Sequence, residues 1–174
     1  MSKKIGLIYG SDTGITEEIT HAIVDYWDVC ELEVIDVQNA KKEDFTNHNI
    51  LFIGSSTWYD GDLQSDWELY FEEFETIDFT NKIIAFFGLG DQYGYGEYFI
   101  DGVGILAKVV LKNGGKIVGL WPTEGYDFSA SKALYNETLF YGLAIDEDNE
   151  PELTKSRLTT WLASLKKELT PYLN

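Results

Sequence analysis

Gly10-Ser11-Asp12-Thr13-Gly14-Ile15-Thr16 is the stretch on which the fold of this chain turns. An apolar run, Ile5-Gly6-Leu7-Ile8-Tyr9, leads into it, and Ile15, Ile19, Ala22, Ile23, Tyr26 and Trp27 follow at helical spacing. Strand, hydroxyl-rich turn and helix together make an anion site. The first amides of a helix lack internal partners and sit at the positive end of its dipole. Ser11, Thr13 and Thr16 add hydroxyls that can donate to a phosphate oxygen, and Gly10 and Gly14 let the backbone come close. The stretch reads as a phosphate seat built without a cation. An equally simple reading makes Thr13 an N-cap ahead of an acidic first turn, Glu17 and Glu18. The stretch contains neither the Gly-Lys-Ser/Thr of a P-loop nor the G-x-G-x-x-G of a dinucleotide site.

At 174 residues the chain suits one domain, 1–174, with a single sizeable core. No apolar run reaches the roughly 18 residues that a membrane span requires. Met1-Ser2-Lys3-Lys4 runs straight into the first strand and leaves no room for a signal peptide. The single cysteine, Cys30, excludes an internal disulfide and a cysteine metal cluster. A cytoplasmic protein is expected. The net charge of −17 argues against nucleic acid and anionic membranes, which need Lys and Arg on the protein. It permits a basic protein partner, steered in from a distance.

Apolar runs alternate with helical patterns almost from end to end. Leu32–Val37 reads as a second strand, Ile50–Gly54 as a third, and Lys82–Gly88, apolar almost throughout, as a central fourth covered on both faces. Ser65-Asp66-Trp67-Glu68 has capping-box spacing ahead of a helical stripe of Trp67, Tyr70, Phe71 and Phe74. Phe99, Val103, Leu106, Ala107 and Val110 mark another helix, stopped by Asn113-Gly114-Gly115. Lys116–Leu120 is a fifth strand. Leu158, Trp161, Leu162, Leu165 and Leu169 form a last helix with Thr154 as its expected cap. Alternation of this kind implies parallel strands joined by right-handed crossovers, with helices on both faces of an open sheet. Residues 121–140 lack an apolar period, and a second short run, Tyr141–Ile145, follows them. The fifth strand is therefore expected to be interrupted by an inserted loop.

Ligands of open parallel sheets bind past the carboxyl ends of the strands, where strand order reverses. Three loops meet there. After the phosphate seat come Ser55–Leu63 and Leu89–Tyr98, both rich in glycine and aromatics and both without Lys or Arg. Aromatic residues on loop tips suit a flat ring stacked between them. No catalytic constellation stands out. His21 lies in the first helix and His48 in a polar turn, and both are expected on the surface.

Together these loops resemble the flavodoxin family. Ser11-x-Thr13-Gly14-x-Thr16 matches its phosphate loop. Thr57–Trp67 matches its first flavin loop and Gly88-Leu89-Gly90-Asp91-Gln92-x-Gly94-Tyr95 its second. Trp121–Phe128 and Gly142–Asn149 resemble the long-chain branch. The resemblance implies a doubly wound five-stranded parallel sheet of order 2-1-3-4-5. It also implies a non-covalent FMN that shuttles electrons at low potential between a reductase and acceptor enzymes.

By position, Ser11, Asp12, Thr13, Gly14, Ile15 and Thr16 would hold the FMN phosphate, while Trp58 and Tyr95 would cover the two faces of the ring. Ser56, Thr57, Tyr59, Asp60 and Gly61 belong to the first flavin loop, with Thr57 and Asp60 flanking the ring through their backbone. Leu89, Gly90 and Asp91 would approach the pyrimidine edge, and Tyr98 and Asp148 the ribityl side. The Tyr59–Asp60 peptide is the one whose carbonyl would turn toward the flavin N5, and a side chain at Tyr59 should make that turned form costlier than glycine would. Two departures stand out. Ile15 replaces the family's frequent Asn or Lys, and Ser56 replaces its frequent Pro, a change expected to loosen the loop. The implied partners are basic-faced redox proteins such as an NAD(P)H-dependent flavodoxin reductase and acceptor enzymes, and the implied state is a monomer. An FMN-dependent NAD(P)H:quinone reductase on the same fold is the competing reading. It needs room over the flavin that Trp58 and Tyr95 would fill. A phosphoacceptor domain would need an Asp closing the third strand, where Gly54 and Ser55 stand.

Overall fold

A computed structural model describes residues 4–173. In chain order its elements are β1 (Ile5–Tyr9), α1 (Ile15–Tyr26), β2 (Leu32–Asp36), α2 (Lys42–Thr46), β3 (Ile50–Trp58), β4 (Asp62–Leu63) and α3 (Ser65–Phe74). There follow β5 (Ile83–Leu89), α4 (Asp101–Lys112), β6 (Lys116–Val118), β7 (Trp121–Pro122), β8 (Leu139–Phe140), β9 (Gly142–Ile145) and α5 (Pro151–Leu173). The sheet runs β2-β1-β3-β5-β6 with all neighbours parallel, and β9 also pairs with β5. Ile83–Ala85 of β5 take Lys116–Val118 as partners, and Phe86–Leu89 take Gly142–Ile145. Thus β6 and β9 are two halves of one fifth strand, and the order is the expected 2-1-3-4-5. The break falls at Gly119, whose φ of 71° ends the strand and whose carbonyl accepts the Trp161 indole N–H at 2.9 Å.

Side chains alternate across each strand, so each strand feeds two cores. On one face Leu51, Ile53, Ile84 and Phe86 pack with Phe45 of α2, Trp67 and Phe74 of α3, and Val103 and Ala107 of α4. On the other, Leu7, Phe52, Ala85 and Phe87 pack with Ile19 and Ile23 of α1 and with Leu158, Trp161 and Leu165 of α5. Every residue of β5 is buried, as its apolar run requires.

Several boundaries differ from the sequence reading. β3 runs on through Trp58 rather than stopping at Gly54, because Ser55 and Ser56 pair with Gly88 and Leu89, and Thr57 and Trp58 with β4. The hydroxyl-rich end of the strand had the look of a loop. Gln64, not Ser65, caps α3, since its side-chain oxygen accepts the Trp67 amide at 3.0 Å. α5 starts at Pro151, whose missing N–H costs nothing at a first helical position, so Thr154 lies inside the helix and donates to Glu147 instead. Residues 121–140 are not wholly irregular. β7 and β8 form an antiparallel ribbon, and Ala133 and Phe140 are buried. His21 is exposed as expected, but His48 is buried, with Nδ1 2.7 Å from the Asp44 carbonyl and Nε2 3.1 Å from Glu33. The stop at Asn113-Gly114-Gly115 holds, with Gly114 at φ 89° and the Gly115 amide bonded to the Val110 carbonyl.

Candidate functional site

The turn from β1 to α1 is shaped from within. Gly14 is the residue before the helix, left-handed at φ 91°, and no side chain caps α1. Thr13 is therefore not the N-cap. The Ser11 hydroxyl accepts the Gly14 amide at 3.0 Å, and the Glu18 amide bonds to the Gly14 carbonyl. Among the described residues the amides of Ile15, Thr16 and Glu17 have no partner. Three N–H groups at the positive end of a helix dipole form an anion seat. Asp12 would spoil it, but its carboxylate turns away. It accepts Gln64 Nε2 at 3.0 Å and the amide and hydroxyl of Ser65, at the start of α3. Gly10 does not serve ligand approach, since a Cβ there would run into the Gln64 amide and the Trp67 indole.

Asp12, Thr13, Ile15 and Thr16 share one cleft of about 650 Å³ with Ser56, Thr57, Trp58, Tyr59, Leu89, Gly90, Asp91, Tyr95 and Tyr98. Glu147, Asp148 and Asn149 complete it. A volume of this size suits a cofactor, and no Lys or Arg lines it. Ser11, Gly14, Asp60 and Gly61 lie outside the lining. Ser11 acts from below through Gly14, and Gly61 shapes the turn behind the cleft. The Gly61 amide donates to the Trp58 carbonyl at 3.2 Å, and a Cβ on Gly61 would meet Asp101 Oδ2 at 2.6 Å.

The walls are tethered. Thr57, which lines the cleft, accepts the Gly102 amide on Oγ1 at 2.9 Å, so its hydroxyl serves α4. Ser56 Oγ accepts the Trp58 indole N–H at 3.0 Å. Rather than loosening the loop, Ser56 pins the indole, which a proline could not do. Tyr59 is 71% exposed and sits at φ 46°, so the cost of a side chain at positive φ is already present, about 1 kcal/mol.

The third loop is organised by Asp91, whose Oδ1 accepts the amides of Tyr93 at 3.1 Å and Gly94 at 2.6 Å and the side chain of Asn149 at 2.8 Å. Burial pushes this carboxyl up, but the Gly94, Asn149 and Tyr93 donors outweigh it and hold it below the usual range. Asp148 goes the other way. Burial raises it, and the neighbouring carboxylates of Asp91, Asp146 and Glu147 raise it further. The Gly90 amide is spent on the Ile145 carbonyl at 3.0 Å.

The flavodoxin family model matches residues 7–161. A flavodoxin of Nostoc sp. is 48% identical over 97% of this chain and 98% of its own. Flavodoxin 1 of Escherichia coli is 44% identical over 94% of this chain and 93% of its own. The chain belongs to the flavodoxin family. The crystal structure of a Fusobacterium nucleatum flavodoxin bound to flavin mononucleotide superposes with a TM-score of 0.90 at 34% identity, covering 95% of this chain and 98% of that one.

Sequence reasoning overlooked the residues that hold this flavodoxin's cleft together. Gln92 is buried. Its side-chain N–H groups go to Asp146 and Glu150, each at 2.8 Å, and its oxygen accepts the Asp127 amide at 2.7 Å. Asn149 bridges Asp91 and Asp146. Both stood inside quoted motifs, but nothing local marks an amide side chain as a hub. The inserted segment supplies further braces. Ser129 and Ala130 donate their amides to the Gly96 carbonyl, and Lys132 donates its amide to Asp101.

Proposed function

We propose that this flavodoxin family member binds flavin mononucleotide in the cleft between the α1 seat, Trp58 and Tyr95, and carries electrons on it between redox proteins. The observation that carries this is one cleft that runs from Ile15 and Thr16, at a helix start with unpartnered amides, to exposed aromatics on two other loops. The seat fits a phosphate because Asp12 is turned out of it. Bound flavin supplies one- and two-electron redox chemistry. The chain's own residues bind and tune. The open amides of Ile15, Thr16 and Glu17 hold the phosphate with Thr13 beside them, while Ser11 and Gly14 shape that turn and Asp12 stands turned away. Trp58 and Tyr95 cover the ring faces, Thr57, Leu89, Gly90 and Asp91 shape its edge, and Asp60 and Gly61 shape the loop behind it. Tyr98 and Asp148 stand on the ribityl side.

The lining holds carboxylates and no cation, and the whole chain carries −17, so added negative charge on the ligand is disfavoured. Each 1.4 kcal/mol or so of such repulsion shifts an equilibrium about tenfold, which gives a low potential for the second electron. Residues 1–174 act as one monomeric unit in the cytoplasm. Its donor is a basic-faced protein such as an NAD(P)H-dependent flavodoxin reductase, and its acceptors are basic-faced too. The acidic surface supports this through steering. A quinone reductase on this fold is disfavoured by the aromatic residues at both ring positions. Mixing FMN-supplemented protein with NADPH separates the two. Bleaching only after a reductase is added, at a rate that falls with salt, is expected. Bleaching by NADPH alone, or protein that stays colourless with FMN, would overturn the carrier reading.

A further inference from the structure

A second hollow, about 660 Å³, adjoins the cleft, and most of its lining has no role described so far. It lies between the third loop and the inserted segment. Tyr95 and Tyr98 line both it and the cleft. Its other aromatic residues are Tyr93, 61% exposed, and Phe128, whose ring packs on Phe99 at 5.7 Å. Its carboxylates are Asp60, Glu97 and Asp127. No Lys or Arg lines it.

Two properties separate this hollow from an ordinary acidic patch. First, its frame is fixed. The two loops that form it are joined by the Asp127 amide to Gln92 Oε1 at 2.7 Å, and by the Ser129 and Ala130 amides to the Gly96 carbonyl at 2.8 and 3.0 Å. Second, its charges are unspent. Among the described residues the carboxylates of Asp60, Glu97 and Asp127 take no hydrogen bond or ion pair. Elsewhere at this rim Asp12, Asp91, Asp146 and Glu150 are all engaged. Aromatic rings beside free carboxylates, with no cation of the chain's own, are complementary to an organic cation. A guanidinium matches best, because its plane stacks on rings while its N–H fork meets carboxylates.

We propose that this hollow is the anchor for an arginine side chain on the surface of the protein partner, seated between Tyr93, Tyr98 and Phe128 and held by Glu97 and Asp127. The proposal rests on the carrier reading for its partner, though not for its chemistry. An arginine there backs onto Tyr95 and so registers the partner against the cleft. The inserted segment thereby gains a role, since Asp127 and Phe128 belong to it.

The test is aromatic-ring NMR on FMN-supplemented protein titrated with blocked tri-arginine, tri-lysine and spermidine. Tri-arginine should shift Tyr93, Tyr98 and Phe128 saturably and bind more tightly than the other two. The pair Glu97→Gln/Asp127→Asn should weaken it by about fivefold to tenfold, while Glu43→Gln/Glu73→Gln on the far side leaves it within about twofold. Equal binding of tri-lysine or spermidine, equal loss in the control pair, or no ring shifts would overturn the proposal. Visible absorbance reports FMN loading in the same samples. Shifts without bound flavin would sink the carrier reading alone, and bound flavin without shifts would sink the anchor alone.

Discussion

The two ends of the sheet use polar groups in opposite ways. At the amino ends of the strands buried polar groups are mostly answered from within, the Trp27 indole N–H being an exception among the described residues. Lys82 Nζ donates to the carbonyls of Thr46 and His48, each at 2.8 Å, and the Asn113 side chain closes on the carbonyls of Glu75 and Ile77. At the carboxyl ends, amides of α1 stand open, tyrosines face solvent, and Tyr59 and Ile100 sit at φ 46° and 49°. For the β-branched Ile100, wholly buried, that conformation is an outlier maintained by its surroundings. One end spends its hydrogen-bonding capacity on closure. The other keeps some in reserve. Positive φ occurs at both ends, since Asn81 just before β5 sits at 62°, but asparagine tolerates that conformation and the β-branched Ile100 does not.

The contrast can be broken by mutation. Asp146 is the most deeply engaged group at the open end, a fully buried carboxylate that accepts the Gln92 amide and side chain and the Asn149 amide and side chain. Asp146→Ala strands these donors and should cost about 3 kcal/mol in urea unfolding. It should also weaken FMN binding, because the third loop loses its hub. At the closed end, Lys82→Met should cost about 2 kcal/mol by orphaning two carbonyls, with FMN affinity unchanged within about twofold. A matching loss of FMN affinity would refute the separation of the two ends. Tyr59→Gly should leave stability within about 0.5 kcal/mol, since relief of positive φ and the added freedom of the unfolded chain nearly cancel. Its effect belongs to the flavin potentials, which should move while the melting curve does not.

The smallest expected effect concerns pH. Burial raises the Asp101 carboxyl above the ordinary 3.8, outweighing the Lys132 amide and the nearby charges of Lys132 and Lys108. Above 3.8 the unfolded chain gives up this proton while the folded one still holds it. Stability from this group is therefore greatest at low pH and declines as pH rises through the folded value. Asp101→Asn keeps an acceptor for the Lys132 amide and removes the titration. Relative to the parent, its stability should gain with rising pH and then level off. Parallel pH profiles for the two proteins would refute this.

Much of this architecture was legible in the residues. Apolar runs placed the strands, the 3.6 period placed the helices, and the break in the fifth strand followed from residues 121–140 lacking a period. The turn between β1 and α1 and the two aromatic loops that share its cleft were legible too, because glycine, hydroxyls and loop aromatics announce themselves locally. What stayed hidden was long-range. The amide of Gln64 caps a helix and meets Asp12, and those of Gln92 and Asn149 knit three segments, yet each reads alone as a polar surface residue. Positive φ at Tyr59 and Ile100 has no compositional signal at all. Nor did Ser56 reveal that its hydroxyl would find an indole two residues on.

The divided outer strand has one more consequence. Sheet margins invite other chains to add on, since their main-chain groups lie bare. Here β6 and β9 are short, the Trp161 indole takes the Gly119 carbonyl at the gap, and the Tyr126 hydroxyl takes the Ala144 carbonyl at 2.6 Å. The margin is sealed by side chains instead of by barrel closure. Such a margin offers another chain little bare backbone on which to add a strand.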